Sequence, residues 1–362
     1  MKLTAQVKLN TMPGQFESLR LTLETANEAC NYISGIAWQE RIFSQYSLQK
    51  LVYYEVRNQF DLSAQMTIRC IAKVADSYKL DRNTKRTFKI NGGIAYDSRI
   101  LRYKLEQSTV SIWTLNGRFH IPFVCGERQR ELLKSQQGES DLILFRGNFY
   151  LLAICDINDP DPIDVEGALG VDLGIVNIAV TSDGDIFSGS HVNNVRHRHS
   201  RLRRKLQKKG TKSAKRLLKK LSGKEQRFGK HVNHVISKRI VEKAQGTKRA
   251  IAVEELTGIS HRVTVRKSQR ATLHNWSFYQ LKSFIKYKAQ MVGIPVIEIN
   301  PRNTSRICPV CGCIDKRNRS NQATFSCVSC DFSGVADHVA AINIGRRAIV
   351  NWPNVGEQLL AV

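Results

Sequence analysis

The chain has 362 residues, 42% of them hydrophobic, which is enough for a sizeable core and for two or three domains. Its 56 Lys and Arg against 31 Asp and Glu leave a formal charge of +25, a balance that favours a polyanion as partner, nucleic acid first among them. No apolar run approaches the roughly 18 residues of a membrane-spanning helix, and the opening Met1-Lys2-Leu3-Thr4-Ala5-Gln6-Val7 alternates like a strand rather than a signal peptide. The composition therefore points to a soluble cytoplasmic protein with no membrane partner. Five of the nine cysteines crowd between Cys308 and Cys330, and such clustering in a reducing compartment means metal more often than disulfide.

After the first strand, Gly14 to about Tyr78 carries helical periodicity, with Leu19, Leu23, Ala26, Ala29, Ile33 and Ala37 spaced by three and four, so a small helical bundle is expected. From about Ser98 the pattern turns to short alternating runs. Val110 to Leu115 and Arg118 to Phe123 flank Asn116-Gly117, a strong hairpin signal. Leu142 to Phe145 and Tyr150 to Ile154 follow around Arg146-Gly147-Asn148, so an antiparallel sheet or barrel extends to about residue 157. Asp156 to Asp164, rich in Asp and Pro, reads as a linker.

Beyond it, Ala168 to Leu173, Asn177 to Thr181 and Asp185 to Phe187 look like three meandering strands opening a ribonuclease H type sheet. A long basic helical region comes next, then the strand Ile251-Ala252-Val253-Glu254 and an amphipathic helix from about Trp276 to Met291. The aromatics of that helix could stack on bases, but their spacing suits packing against the sheet. The strand Pro295 to Ile299, the cysteine cluster and a last helix after Asp337 complete the chain.

Three features carry chemistry. Cys308-Pro-Val-Cys311 and Cys327-Val-Ser-Cys330 are paired CxxC knuckles, whose four thiolates match a tetrahedral structural Zn²⁺ site, with an iron–sulfur centre as the rival. A closed four-thiolate site has no open position for water, so one Zn²⁺ would fold this segment rather than catalyse, with Cys313 a bystander.

The run Arg196 to Lys230 has Glu225 as its sole acid. Its cations, Arg201, Arg203, Arg204, Lys205, Lys208, Lys215, Arg216, Lys219 and Lys220, are candidate phosphate contacts of a sequence-independent, salt-sensitive kind; the alternative is a solvated helical face. Arg306, just before the cysteines, joins them as a candidate.

Last, Asp172, Glu254 and Asp337 end apolar strands or open an amphipathic helix, far apart in sequence, as hard oxygen ligands for Mg²⁺ do. Two Mg²⁺ on these acids could activate water and stabilise a leaving 3′ oxygen, giving 5′-phosphate and 3′-hydroxyl products. Glu255 rivals Glu254, since along an alternating strand the two face opposite sides and the pattern leaves open which side holds metal.

In order, Gly170-Val171-Asp172-Leu173-Gly174, Val253-Glu254-Glu255-Leu256, Asn303-Thr304-Ser305-Arg306-Ile307-Cys308 and Asp337-x-x-Ala340-Ala341-x-Asn343-Ile344 resemble the TnpB family over essentially the whole chain. That family comprises transposon-encoded RNA-guided DNA endonucleases related to the type V CRISPR effectors.

The resemblance implies a multidomain α/β protein, with a RuvC-like (ribonuclease H type) nuclease domain at 165–301 and 336–362 and an inserted zinc-ribbon subdomain at 302–335 that helps feed DNA to it. It further implies a wedge-type β-barrel domain at 1–10 and 96–160 carrying a helical recognition bundle at 11–95. By analogy it makes Asp172, Glu254 and Asp337 the metal ligands and selects Glu254 over Glu255. The implied partners are a guide RNA from the transposon end and double-stranded target DNA beside a short flanking motif, with base pairing reading the sequence. A nucleoid-associated monomer is expected. One departure stands out: the family usually has Asn two residues after the last aspartate, where this chain has Val339. The alternatives are an RNA-guided DNA-binding regulator with weak or no cleavage, for which Val339 is the motive, and an unguided structure-specific nuclease.

Overall fold

The computed structural model describes residues 1–255 and 278–351. Among them no helix is long and apolar enough to cross a membrane. The chain divides into two compact units, Met1–Asn158 and Asp159–Val362, and the division falls inside the Asp- and Pro-rich stretch.

In the first unit, β1 (Lys2–Leu9) leads into α1 (Pro13–Gln39), α2 (Gln45–Phe60) and α3 (Ala64–Leu80). The helical periodicity is real but broken in two places, where Ser44 and Ser63 stop the preceding segment and cap the next, accepting from Ser47 N and Met66 N at 3.2 Å. Leu19, Leu23, Ala26, Ala29, Ile33 and Ala37 form the buried stripe of α1. The chain continues through β2 (Ile94–Tyr96), β3 (Leu101–Lys104), β4 (Thr109–Thr114), β5 (Gly117–Val124), α4 (Glu127–Lys134), β6 (Gln136–Phe145) and β7 (Asn148–Asp156).

These strands make one antiparallel sheet ordered β2-β6-β7-β1-β5-β4-β3. Arg146 and Gly147, both at positive φ, make the tight turn between β6 and β7. The sheet curls until its edges approach. Tyr96 Oη on β2 donates to Trp113 O on β4, and Tyr103 Oη on β3 meets Ser140 Oγ on β6, each at 3.2 Å.

The second unit opens with β8 (Ala168–Asp172), β9 (Asn177–Thr181) and β10 (Ile186–Ser188), then α5 (Ser190–Lys209), α6 (Lys212–Leu221), α7 (Lys224–Gly246) and β11 (Ala250–Glu254). After the undescribed stretch come α8 (Phe278–Gln290), β12 (Val296–Ile299), a 3₁₀ turn at Lys316–Asn318, the small hairpin β13 (Thr324–Ser326) and β14 (Ser333–Val335), and α9 (Ala336–Asn351). The sheet order is β10-β9-β8-β11-β12, with β8, β11 and β12 parallel and β9 and β10 antiparallel to their neighbours.

Helices cover both faces. Leu169 and Val171 of β8 and Ile251 and Val253 of β11 pack with Ile240 and Ala244 of α7 and Leu281, Ile285 and Ala289 of α8. On the opposite face Ala252 of β11 and Ile299 of β12 pack with Ile344 and Ala348 of α9. The predicted helix from about Trp276 thus runs as α8, its apolar spacing spent on the core, although Trp276 itself lies outside the described residues. Gly170 lets α9 approach β8, since a Cβ there would sit 1.9 Å from Ala341 O and 2.5 Å from Gly345 N.

Candidate metal centre and nucleic-acid interface

Strand alternation decides where the acids point. Val171 and Val253 face α7 and α8, so Asp172 and Glu254, one residue on, turn to the face covered by α9. The parallel register pairs Val171 with Val253, which brings the two carboxylates to neighbouring C-terminal strand ends. Asp337 stands in the first turn of α9, the helix that covers this face. Glu255, next along the chain, is exposed and opposite in alternation.

Asp172 lies in the field of both other carboxyls. Burial, with the negative charges of Glu254 and Asp337 beside it, raises the Asp172 carboxyl to about 7, against partial relief from the Arg319 charge and the Leu173 backbone N–H. Burial also raises Glu254, opposed by a hydrogen bond from Thr304 and by the charges of Arg347 and Arg319. Carboxylate oxygens are the hard donors a divalent cation such as Mg²⁺ prefers, so by the chemistry of their donors these three residues fit that group.

Side chains absent from the sequence-based candidates hold the acids. Asn177 Nδ2, at the start of β9, donates to Asp337 Oδ2 at 3.0 Å. Arg319 donates to the other oxygen, Oδ1, at 2.9 Å and to Gln322 O at 3.1 Å. Thr304 donates to Glu254 Oε1, and Lys282 Nζ reaches the Glu254 main-chain oxygen at 3.3 Å while pairing with Glu298. Each partner lies far off in sequence in a loop or on a neighbouring element. The one signal in the sequence is that Thr304 and Asn177 sit inside or beside the quoted motifs.

Cys308, Cys311, Cys327 and Cys330 bring their sulfurs within 4.8 Å of one another. Cys308 and Cys330 stand 3.7 Å apart, and Cys311 and Cys327 stand 3.5 Å apart. Sulfurs 2.3 Å from a tetrahedral zinc lie about 3.8 Å from each other, so the cluster fits Zn²⁺. The Ser329 backbone N–H donates to Cys327 Sγ at 3.4 Å, as a thiolate knuckle requires. Cys313 contributes its backbone instead, its carbonyl accepting from Cys308 N at 2.9 Å and from Asn318 Nδ2 at 3.0 Å. Val339 of α9 packs with Cys308, Phe325 and Ala336, so the residue that departs from the family pattern belongs to the apolar base of the zinc ribbon.

The basic candidates split by position. Arg201, Arg203, Arg204, Lys205 and Lys208 lie exposed on α5, and Lys215, Arg216, Lys219 and Lys220 lie exposed on α6, with Leu206 and Ala214 turned inward. Arg203 is paired with Glu225 at 3.2 Å, and Arg196 shares that carboxylate at 3.3 Å. Arg306 is exposed in the loop before Cys308.

Comparison with known proteins places the chain in a family. A family model described as a probable transposase, OrfB of IS605, matches residues 155–258, and a Cas12f1-like TNB domain model matches residues 278–344. A TnpB-like protein of Methanocaldococcus jannaschii is 30% identical over 268 residues, which is 68% of this chain and 93% of that relative. A CRISPR-associated endodeoxyribonuclease Cas12f1 of Sulfoacidibacillus thermotolerans is 34% identical over 203 residues, 50% of this chain and 46% of its own. The Cas12f1 of Syntrophomonas palmitatica is 41% identical over 125 residues, 34% of this chain and 24% of its own, so the chain spans less than half of either Cas12f1.

Among solved structures, a Cas12f1–sgRNA–target DNA complex aligns with a TM-score of 0.62 at 16% identity, covering 92% of this chain and 83% of that one. The mini-RNA-guided endonuclease Cas_phi3 aligns at 0.60 and 10% identity, covering 98% and 93%. The fold is that of the Cas12-type effectors, a multidomain α/β architecture with a RuvC-like domain and a zinc-ribbon cluster. By its similarity along nearly the full length of the M. jannaschii protein, this chain belongs to the TnpB family.

Proposed function

We propose that the protein is an RNA-guided, Mg²⁺-dependent DNA endonuclease that cleaves double-stranded DNA beside a short flanking motif. The observation that carries this reading is the convergence of Asp172, Glu254 and Asp337, where burial first, and the charges of the two neighbouring acids second, raise the Asp172 carboxyl to about 7. Two Mg²⁺ held by these carboxylates would supply an activated water and stabilisation of the leaving 3′ oxygen. Asp172 and Glu254 present their oxygens from rigid strand ends, and Asp337 presents its own from the first turn of α9.

Asn177 and Arg319 each donate to one Asp337 oxygen and so orient the carboxylate, and Arg319 adds positive charge beside an expected phosphate position. The exposed cations of α5 and α6 suit a sugar-phosphate backbone read without regard to sequence. The zinc ribbon at 302–335, the wedge domain at 1–10 and 96–160, and the helical recognition domain at 11–95 complete the arrangement, with a guide RNA and target DNA as partners. The relatives named endodeoxyribonucleases support the chemistry. Val339 packs into the zinc ribbon's apolar base, which favours an active nuclease over a binding-only regulator.

The test is cleavage of a plasmid library with randomised flanking bases, by protein purified with RNA from its own locus, beside Asp172→Ala. Cutting that requires RNA, Mg²⁺ and Asp172 is expected. RNA-dependent binding without cutting would make the protein a regulator, and cutting without RNA would make it an unguided nuclease.

A further inference from the structure

Glu254 is tied to α9 by a route that bypasses the sheet. Thr304, 2% exposed, donates its hydroxyl to Glu254 Oε1 at 2.5 Å. Its β-branched side chain, buried in a loop, has little rotamer freedom. That loop is bound to α9 by four hydrogen bonds to its carbonyls: Asn343 Nδ2 to Thr304 O and Ile307 O, both 2.8 Å, and Arg347 to Asn300 O at 2.6 Å and Arg302 O at 2.8 Å. Asn343 is 6% exposed, and Asn303 at φ +64° turns the loop so that Arg306 N and Ile307 N close back onto Asn303 O. The helix that carries Asp337 therefore also fixes, through Asn343 and Thr304, the orientation of Glu254.

We propose that Thr304 is a positioning residue for Glu254, anchored by Asn343, and that it sets divalent-cation affinity by holding one Glu254 oxygen so that the other is presented to the metal. This deepens the nuclease reading and rests on it. A hydroxyl that orients a metal-binding carboxylate is expected to change affinity about 10- to 100-fold when lost. A contact that merely fills space would act through size, not through the hydroxyl.

The experiment compares wild type with Thr304→Ser, Thr304→Val and Thr304→Ala, as full chains with their RNA and zinc content verified. Mn²⁺ binding is measured calorimetrically and cleavage is titrated with Mg²⁺. Thr304→Val should bind Mn²⁺ about tenfold or more weakly and need correspondingly more Mg²⁺ for half-maximal cleavage, with a smaller loss at saturating Mg²⁺; Thr304→Ser should stay within about threefold of wild type. If Thr304→Val fails to fold, Thr304→Ala carries the same expectation.

Wild-type Mn²⁺ affinity in a folded Thr304→Val would overturn the role, as would equal losses in Thr304→Ser and Thr304→Val. Asp172→Ala distinguishes failure of the underlying reading: wild type and Asp172→Ala binding Mn²⁺ alike would mean the three acids hold no metal, and the positioning role would go with them.

Discussion

Arg319, from the zinc ribbon, donates a 2.9 Å hydrogen bond to Asp337 Oδ1, so a residue between the two cysteine knuckles touches the carboxylate cluster directly. Its charge also lowers the carboxyls of Asp172 and Glu254, so removing it should let both titrate higher. In Arg319→Ala the pH at which Mn²⁺ binding is half-maximal should move upward, because each cation must then displace protons held more tightly. Calorimetric titrations between pH 6 and 9, roughly the range around the Asp172 value of about 7, would read this, and an unmoved midpoint would sink it.

The raised Asp172 carboxyl also makes a stability prediction for the Mg²⁺-free protein. An acid held at about 7 when folded and near its ordinary 3.8 when unfolded binds its proton more tightly in the folded state. The stabilisation from protonation is fully present below the unfolded value and is lost as pH rises through about 7. Asp172→Asn should therefore be more stable than wild type at pH 8 by up to about 4 kcal/mol, with the gap closing toward pH 4, while abolishing cleavage. Thermal melts without chelator, so that zinc stays bound, provide the check; a variant less stable at pH 8 would mean Asp172 is structurally needed.

How far the sequence foretold this centre depended on the range of each contact. The zinc knuckles are local, two residues apart within each pair, and they were legible from spacing alone. Asp172 and Glu254 were legible because each ends a run of apolar strand residues. The choice between Glu254 and Glu255 was not, because alternation says that they diverge but not which face α9 covers; Gly170 and Ala252 supply that through their packing. Arg319, Asn177 and Thr304 act across 18, 160 and 50 residues of chain, and their residue types are ordinary in turns, so no local periodicity marks them. The helical bundle was foreseen as one periodic stretch, and its division into three helices rests on Ser44 and Ser63, which the apolar spacing does not register.

Because Val339 packs with Cys308 and Phe325, loss of zinc should be felt at α9. Cys311→Ser should release about one zinc per chain, expose residues 302–335 to limited proteolysis and reduce cleavage, whereas Cys313→Ser should keep the metal. Elemental analysis of both variants decides it: unchanged zinc in Cys311→Ser would refute the four-cysteine assignment.

The basic helices offer a graded test, since Arg203 is engaged with Glu225 whereas Arg204, Lys219 and Lys220 are exposed. Neutralising those three should weaken RNA binding and flatten its logarithmic dependence on salt by about two to three units, at roughly 0.7 to 0.9 per phosphate contact. Arg203→Ala alone should change the slope less, because the Arg203 charge is already partly offset by Glu225. An unaltered slope in the triple variant would make α5 and α6 a solvated face and move the RNA site elsewhere.

Gly170 lets β8 and α9 meet backbone to backbone, and its side-chain-free surface is a condition for bringing Asp337 to Asp172. An added methyl would meet backbone atoms, Ala341 O at 1.9 Å and Gly345 N at 2.5 Å, which no rotamer change can relieve. Gly170→Ala should push α9 off β8, costing on the order of 2–4 kcal/mol as overpacking against backbone and impairing cleavage beyond what the lost stability explains. Gly184→Ala offers the contrast. Gly184 sits at positive φ in the turn after β9, and its nearest neighbour is the His338 side chain at 3.9 Å, so any loss there should be confined to turn strain. Denaturant melts and metal-saturated cleavage of both variants would separate the two effects, and a Gly170→Ala protein with wild-type stability and activity would show that α9 does not depend on this approach.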